Sequence, residues 1–413
     1  MSADGTRAGL GREERFRLWV EAAEQVAAEL RRTGAARDAA GADPVAEIEL
    51  LRQAGLLTIF LPEAIGGGGA TTRQVLRIIR ILAKGDTSIA QIATYHLFGT
   101  ALGRNGANQA LFARRAEGFL RLGWFHGGVA QAAYEPLISA TPQGKGFVLN
   151  GSKPFASGAA VADTLHVWVR FAPGTEIAGD DAGGHIGQFV VPNPAPGLSF
   201  GHDWDNMGQR LTVSGSASFD NVAVCLDDLV AHRREDAPQT PAETLHVPII
   251  QLAFGELYLG TALGAFEEAR DYIRTRSRPW LSSPAGKASE DTLVVERFGR
   301  LSVALASAVA LSDAAGEAAQ RAAERGSGLT EQERGEVAAI AYQSKVHSTE
   351  VALEVTSRLF ELMGARATTR ALSFDRYWRN VRTHSLHDPV HYKVLEVGDY
   401  ALNGTVPPPT YYS

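Results

Sequence analysis

The chain has 413 residues, of which 45% are hydrophobic and 21% are charged, and its formal net charge is −6. This size allows two or three domains with sizeable cores, and the acidic balance excludes non-specific nucleic-acid binding, which needs a basic surface. A single cysteine, a polar N-terminus and the lack of ~20 consecutive apolar residues exclude intrachain disulfides and predict a cytoplasmic protein without membrane contact.

The first third of the chain is predicted to be helical. Apolar side chains in residues 16–30 recur at the 3.6-residue spacing of an amphipathic helix. Residues 43–55 begin with an Asp-Pro pair and end at a glycine, which is typical of one complete helix. Another helix is predicted to start after Asp86, which would be its N-cap. We therefore expect a helical domain over residues 1–138.

A β-domain is predicted next, over residues 139–242. The apolar pattern there changes to a period of two, in segments such as TLHVWVRF and SGSASFDNVAV, and glycines multiply. These short strands favour a small antiparallel sheet or barrel. Helical periodicity then returns, and a helical domain is predicted over residues 243–413. The helix, sheet, helix order predicts the α+β class.

Several segments occur in the order found in the acyl-CoA dehydrogenase superfamily. They read FLPEAIGGGGA, GDTSIAQIATYHL, FVLNGSKPFASG and NMGQRLTVSGSASFDNVAV. Together they resemble that superfamily over essentially the whole chain. The resemblance implies an N-terminal helical domain, a middle antiparallel β-domain and a C-terminal four-helix bundle. It also implies a flavin in the crevice between them and, as is usual there, a homotetramer.

The segment FDRYWRNVRTHSLHDPV, residues 374–390, distinguishes two branches of the superfamily. The dehydrogenases place a glutamate base in the equivalent of SLHDPV, where this chain has His387 and Asp388. Their alternative glutamate position aligns with Phe254, two residues before Glu256. The segment instead resembles flavin-dependent monooxygenases of the dibenzothiophene monooxygenase group, as do YHL, ASG, DW and RPW, which occur in the same order.

This resemblance implies a two-component monooxygenase that uses FMNH2 from a separate NAD(P)H:flavin reductase. Oxygen would add at the flavin C4a carbon, and the hydroperoxide would pass one oxygen atom to sulfur, nitrogen or carbon. The expected substrate is an apolar, aromatic or organosulfur molecule, such as dibenzothiophene or a related thiophene or sulfone, in desulfurization. Two alternatives stay open: an FAD-dependent acyl-CoA dehydrogenase with Glu256 or Asp388 as base, and a non-catalytic flavin-binding scaffold.

Hydroxyl and imidazole groups suit catalysis beside a reduced flavin, because carboxylates would repel its negative charge. Pro389 interrupts the helix that would align His384, His387 and His391 on one face, so no metal site is expected. Asp388 is predicted to cap the helix that follows. The alternative for each candidate is a core histidine or a turn serine with satisfied hydrogen bonds. The catalytic residues implied by the resemblance are His96, Ser157, His384 and His387.

Arginines suit the FMN phosphate because their guanidinium groups bind it bidentately. The chain has RSRPWLSS in place of the Arg-x-x-Phe-Gly motif that holds the adenine half of FAD in the dehydrogenases, which favours FMN. The alternative for each arginine is a solvated surface charge. The predicted cofactor-binding residues are Ser157, Trp204, Ser214, Arg278, Gly364, Arg366 and Arg370. The predicted substrate contacts are Tyr95, Trp124, His126 and Phe254.

Overall fold

The computed structural model describes residues 10–130 and 136–413. Its N-terminal region is helical. Asp86 caps one of these helices by accepting hydrogen bonds from the backbone N–H groups of Ser88 and Ile89, which confirms the predicted cap. The helices are α1 (Arg12–Ala40), α2 (Val45–Gln53), α3 (Thr72–Gly85), α4 (Thr87–Thr100) and α5 (Gln109–Glu117).

The middle of the chain forms the sheet that the period-two pattern predicts. Its strands are β1 (His126–Val129), β2 (Ile138–Gln143), β3 (Gly146–Lys153), β4 (Thr164–Phe171), β7 (Ile186–Pro192), β8 (Leu198–Phe200), β9 (Ala217–Cys225) and β10 (Leu229–Arg233). The short strands β5 (Glu176–Ile177) and β6 (Asp180–Asp181) form a separate hairpin.

The sheet is mixed rather than purely antiparallel. The strand order is β10-β7-β4-β2-β3-β9-β8, and β1 also pairs with β4. Both β1 and β2 run parallel to β4, which the prediction of an antiparallel sheet missed. The cause is that β1 and β2 lie along the same edge of β4, one after the other. Strand β1 also takes part in the sheet although it precedes residue 139.

Long helices return after the sheet, as predicted. They are α6 (Pro241–Thr244), α7 (His246–Thr275), α8 (Thr292–Arg325), α9 (Glu331–Met363), α10 (Arg376–His384) and α11 (Val390–Asn403). Helix α9 contacts α7, α8, α10 and α11, and α7 also packs on α3 of the N-terminal region. The predicted order of helices, sheet and helical bundle is therefore confirmed.

Helix α7 lies at the centre of the molecule. Gly260 and Gly264 let it approach α3 closely, because a Cβ atom on either would lie 2.1–2.2 Å from an α3 carbonyl oxygen. Within the described residues, one helical stretch, Pro241–Thr275, is long and apolar enough to cross a membrane, and 78% of its most apolar window is buried inside the protein. Its apolar composition follows from this central position.

Candidate active site

A chain of hydroxyl groups follows strand β3. The Ser157 Oγ lies 2.6 Å from the Ser214 Oγ, which lies 2.6 Å from the Thr212 Oγ1. The Thr212 hydroxyl donates to the carbonyl oxygen of Gln209 at 2.8 Å. Each hydroxyl has one proton, so Ser214 donates to Thr212 and Ser157 donates to Ser214. Ser157 is therefore left with acceptor capacity only, which suits an N–H group of a ligand.

Trp204 lies beside this chain. Its indole N–H donates to the Gln209 carbonyl oxygen at 2.7 Å, and its ring meets Phe155 edge-on at a centroid distance of 6.2 Å. The backbone N–H of Gln209 donates to the Asn380 side chain at 2.7 Å, which ties this loop to α10. The structure therefore brings together three predicted cofactor residues: Ser157, Ser214 and Trp204.

His384 ends α10 and is buried. Its Nδ1 lies 2.8 Å from the Tyr258 hydroxyl, which also lies 3.2 Å from the His384 carbonyl oxygen. The phenol has one proton, so it donates either to the carbonyl oxygen or to Nδ1, and the imidazole tautomer decides which. The other ring nitrogen, Nε2, is buried and has no partner within the described residues. Burial holds the pKa of His384 well below its ordinary value.

His387 stacks on His384 with the ring centroids 5.7 Å apart. The Phe254 ring lies edge-on to both, at 4.7 Å from His384 and 5.1 Å from His387. The side chain of His387 is 40% exposed, and its Nδ1 contacts the Asp388 Oδ1 at 3.2 Å. No hydrogen bond from the described part of the chain reaches its Nε2, which is left for a ligand. Tyr95 also contacts Phe254, at 6.3 Å.

Neither carboxylate proposed for the dehydrogenase alternative is available as a base. The buried Glu256 binds Arg80 through both oxygens and accepts a hydrogen bond from Ser312. The buried Asp388 binds Lys345 through one oxygen and His387 through the other. Both carboxylates are therefore occupied inside the protein.

His96 does not have a free nitrogen. Its Nε2 donates to the Leu57 carbonyl oxygen at 2.8 Å, and its Nδ1 accepts the backbone N–H of His126 at 2.9 Å. The ring stacks on Phe125 with centroids 4.8 Å apart, and burial lowers its pKa to about 4. This geometry matches the alternative of a satisfied core histidine, and it offers no proton to a ligand.

Two further predicted substrate contacts, His126 and Trp124, have protein partners of their own. The ring of His126 is held by Thr164 at 3.2 Å on Nδ1 and by His166 at 3.0 Å on Nε2. Trp124 packs against Phe119 in a small separate apolar cluster. Strand β1, which begins at His126, packs against α4, and the substrate contacts of His126 and Trp124 stay predictions.

The predicted phosphate ligands lie on two neighbouring surface segments. Arg366 donates to the carbonyl oxygen of Arg276 at 2.8 Å, so the segments after α7 and after α9 are in contact. Arg278 and Arg370 are exposed, and no ion pair involves either of them within the described residues. Gly364 has a φ of 83°, which glycine adopts without strain.

Lys345 is the main residue of this region that the prediction missed. The signal is present in the sequence, since Lys345 falls on the buried stripe of α9 with Ala338, Ala341, Tyr342 and Ala352. A charged residue on such a stripe requires a buried partner. The partner lies 43 residues further along the chain, so local pattern alone cannot identify it.

Unpartnered buried polar atoms mark the junction of α4, the Gln209 loop and α10, which contact one another. Buried polar atoms are nearly always satisfied, so such a set indicates a place where a ligand or water completes the bonding. A flavin ring, flat and with polar edge atoms, fits this set together with Trp204 and the acceptor oxygen of Ser157. The unpartnered atoms are Gln91 Oε1, Gln209 Oε1 and Nε2, Thr383 Oγ1 and His384 Nε2.

No metal site accompanies these histidines in the described residues, where no three His, Cys, Asp or Glu side chains are grouped to hold an ion. His384 and His387 stack, whereas His391 is exposed on α11. The three imidazoles therefore do not share one helix face, since Pro389 separates α10 from α11.

Comparison with known proteins agrees with this site. The sequence matches the N-terminal, middle and C-terminal domains of the acyl-CoA dehydrogenases over residues 12–110, 127–222 and 252–391. Dibenzothiophene monooxygenase of Mycolicibacterium goodii is 36% identical over 406 residues, which is 95% of this chain and 96% of that protein. A probable FMNH2-dependent monooxygenase of Pseudomonas putida, SfnC, is 37% identical over 396 residues, with the same coverage.

A solved structure extends the match to three dimensions. TdsC from Paenibacillus sp. A11-2, in complex with FMN and indole, has a TM-score of 0.88 and 36% identity to this chain. The match covers 96% of this chain and 100% of that one. With the dehydrogenase bases occupied and imidazole and hydroxyl groups at the junction, the chain belongs to the acyl-CoA dehydrogenase family, within its branch of flavin-dependent monooxygenases.

Proposed function

We propose that this protein is an FMNH2-dependent monooxygenase that oxygenates an apolar, aromatic or organosulfur small molecule. The observation that carries the proposal is that the carboxylates of this region are bound to cations, whereas an imidazole nitrogen has no partner among the described residues. Glu256 and Asp388 are bound to Arg80 and Lys345, while the buried His384 Nε2 has no partner among residues 10–130 and 136–413. A dehydrogenase needs the opposite arrangement, a free carboxylate beside the substrate.

The roles of the residues follow from their hydrogen bonds. When bound, reduced FMN supplies two electrons for the activation of O2, one oxygen atom going to the substrate and the other to water. Ser157 would accept a hydrogen bond from an N–H of the ring, because its own proton is given to Ser214. His387 would exchange a proton at Nε2 while Asp388 holds its Nδ1. Phe254 and Tyr95 would exclude water.

The substrate class is supported by aromatic side chains and by the relatives. Phe254 presents its ring to both C-terminal histidines, and Tyr95 meets it edge-on, which favours a flat apolar molecule. The relatives are named for dibenzothiophene, and TdsC has been solved with indole. Dibenzothiophene, a related thiophene or a sulfone is therefore the class to test first, with desulfurization as the process.

The remaining parts of the proposal concern cofactor and partners. Arg278, Arg366, Arg370 and the turn at Gly364 would hold the FMN phosphate. A separate NAD(P)H:flavin reductase would supply FMNH2, as the name of SfnC supports for that relative. A cytoplasmic homotetramer is proposed, and large exposed apolar side chains such as Leu281 (95% exposed) and Leu402 (84% exposed) support burial between subunits.

The test is a single-turnover reaction under labelled oxygen. The protein is mixed anaerobically with FMNH2 and dibenzothiophene, oxygen-18 gas is added, and the product is analysed by mass spectrometry. The expected result is one labelled oxygen atom in a sulfoxide. If an acyl-CoA bleaches bound FAD without oxygen, the acyl-CoA dehydrogenase alternative is correct. If neither reaction occurs with a panel of thiophenes, sulfones and indole, the proposal is wrong.

A further inference from the structure

Lys345 is a buried cation in the middle of α9, with a side chain only 2% exposed. Its ammonium group donates to Asp388 and to the side-chain oxygen of Gln251, and lies 5.6 Å from the centre of the Phe254 ring. Taking a charge out of water costs several kcal/mol unless it is paired. A lysine at this position therefore needs a partner, and Asp388 is that partner.

Asp388 uses its two oxygens for two different groups. Its Oδ2 binds Lys345, and its Oδ1 contacts the Nδ1 of His387 at 3.2 Å. Burial lowers the pKa of Lys345 to about 8, although the charge of Asp388 opposes this. Burial works against ionisation of Asp388, but His387 and Lys345 together hold the pKa of its carboxyl well below the ordinary value. A lysine, a carboxylate and an imidazole therefore form one line.

Other titratable groups surround this line. They are His384 on α10, Tyr258 on α7, Tyr95 on α4, Tyr342 on α9, and Lys393 and Glu396 on α11. The three tyrosines stay neutral near pH 7, since burial raises the pKa of each above its ordinary value. Lys393 and Glu396 form an ion pair with each other at 3.0 Å. Lys345 is therefore the cation in direct contact with Asp388.

We propose that Lys345 is a positioning residue for His387. It compensates the charge of Asp388, so that the carboxylate orients the His387 ring without holding it permanently as an imidazolium. An uncompensated carboxylate beside an imidazole favours the charged form. With Lys345 in place, Asp388 fixes the ring through its Nδ1, and Nε2 is left to exchange a proton with the reacting molecule. The catalytic meaning of this arrangement rests on the proposed monooxygenase function, whereas the charge coupling does not.

The test measures the pKa of His387 directly in the flavin-free protein. Histidine labelled with carbon-13 is titrated by NMR, and the His387 signal is identified by its loss in His387→Gln. Lys345→Met removes the charge and keeps the length of the side chain. We expect this variant to raise the pKa of His387 by about one unit. The double variant Lys345→Met, Asp388→Asn should reverse that rise.

Lys393→Met is the matched control, because Lys393 is also buried and binds Glu396 and Ser413 rather than Asp388. It should shift the pKa of His387 much less than Lys345→Met does. An unchanged pKa of His387 in Lys345→Met, or an equal shift in Lys393→Met, overturns the proposal. If Lys345→Met does not fold, Lys345→Gln removes the same charge and keeps a hydrogen-bond donor toward Asp388. An unchanged pKa of His387 in Lys345→Gln likewise overturns the proposal.

A second measurement links the inference to activity. The yield of oxygenated product is measured against pH. The midpoint of its decline at acid pH should move to a higher pH in Lys345→Met, in parallel with the pKa of His387. If the pKa moves and the natural chain makes no oxygenated product, the proposed function fails while the charge coupling stands. If the natural chain oxygenates substrate and the pKa does not move, only the role of Lys345 fails.

Discussion

The molecule contains two groups of histidines, which differ in whether their ring nitrogens have hydrogen-bond partners. The central group, His96, His126 and His166, lies between α4 and the sheet, and both ring nitrogens of His96 and of His126 have protein partners. The C-terminal pair, His384 and His387, has a tyrosine and a carboxylate on the Nδ1 side. On the Nε2 side of His384 there is no partner among the described residues.

The two groups also differ in charge. Arg115 is buried near the central group and donates to the carbonyl oxygens of Gly99, in the last turn of α4, and of Leu102, just after that helix. It caps a helix end and is not ion-paired to any carboxylate in the described residues. The C-terminal pair instead faces an ion pair, Lys345 with Asp388. Burial alone therefore does not indicate a reactive histidine, whereas an unfilled hydrogen-bonding position does.

The largest expected effect is acid destabilisation through the central group. Burial lowers the pKa of His96 and His166 to about 4, from an ordinary value of 6.5, and holds that of His126 well below the ordinary value. Below pH 6.5 these imidazoles are therefore protonated in the unfolded chain but still neutral in the folded chain. The free energy of unfolding consequently falls as the pH falls. Between pH 7.5 and pH 5 the loss should be on the order of 5 kcal/mol in the free energy of unfolding.

Urea unfolding at the two pH values measures this loss. His126→Phe removes one of the three titrating groups and should reduce the pH dependence by about 2 kcal/mol. His391→Phe, on the exposed helix α11, is the matched control and should leave it unchanged. Equal pH dependence in the natural chain and His126→Phe would show that the central group does not titrate as described.

The next effect concerns the C-terminal pair and appears in catalysis rather than stability. His387→Ala should keep the fold, because the side chain is partly exposed, and should lower the yield of oxygenated product roughly 100-fold. The lost product should appear as hydrogen peroxide, measured by a peroxidase assay alongside product chromatography. An unchanged product yield in His387→Ala would contradict the assigned role.

A smaller effect is expected from Tyr258→Phe. The substitution removes the hydroxyl group that is hydrogen-bonded to the Nδ1 of His384, so the ring loses the contact that fixes its tautomer. Product yield should fall about tenfold, consistent with the loss of one buried hydrogen bond. Tyr377→Phe, which removes a buried hydroxyl bonded to Glu268, is the control for a general loss of packing. A similar fall in both variants would count against the specific role of Tyr258.

The smallest effect lies outside both histidine groups. Arg370→Ala should weaken FMN binding about fivefold and leave riboflavin binding unchanged, since only FMN carries the phosphate. Arg358→Ala is the control, because this exposed arginine is paired with Glu354. Titration of protein fluorescence with both flavins measures the two affinities. Equal weakening for riboflavin would mean that Arg370 does not contact the phosphate.

Local features of the fold were predictable because their causes lie within a few residues. The cap at Asp86, the strand Thr164–Phe171 and the stop of α11 at Gly404 were all predicted from short patterns and are confirmed. These features depend on side-chain spacing and turn chemistry, which neighbouring residues decide. The cofactor-binding roles of Ser157, Ser214 and Trp204 came from the family resemblance and stay predictions.

One local prediction was wrong in an informative way. Asp388 was predicted to cap α11, yet the helix begins after Pro389 with no side-chain cap. A carboxylate can cap a helix or pair with a cation, and the buried ammonium of Lys345 is the stronger partner. The partner is 43 residues away in sequence, so the helix-start pattern could not reveal the competition.

The sequence by itself determined the element order, the family resemblance and the set of titratable side chains near residues 384–391, because periodicity and motifs are local. Only the tertiary structure decided which imidazoles keep a free nitrogen, which carboxylates are occupied, and that β1 and β2 run parallel to β4. These outcomes depend on hydrogen bonds and ion pairs between residues far apart in the chain. Such contacts are settled by burial, which obliges each polar group to find a partner.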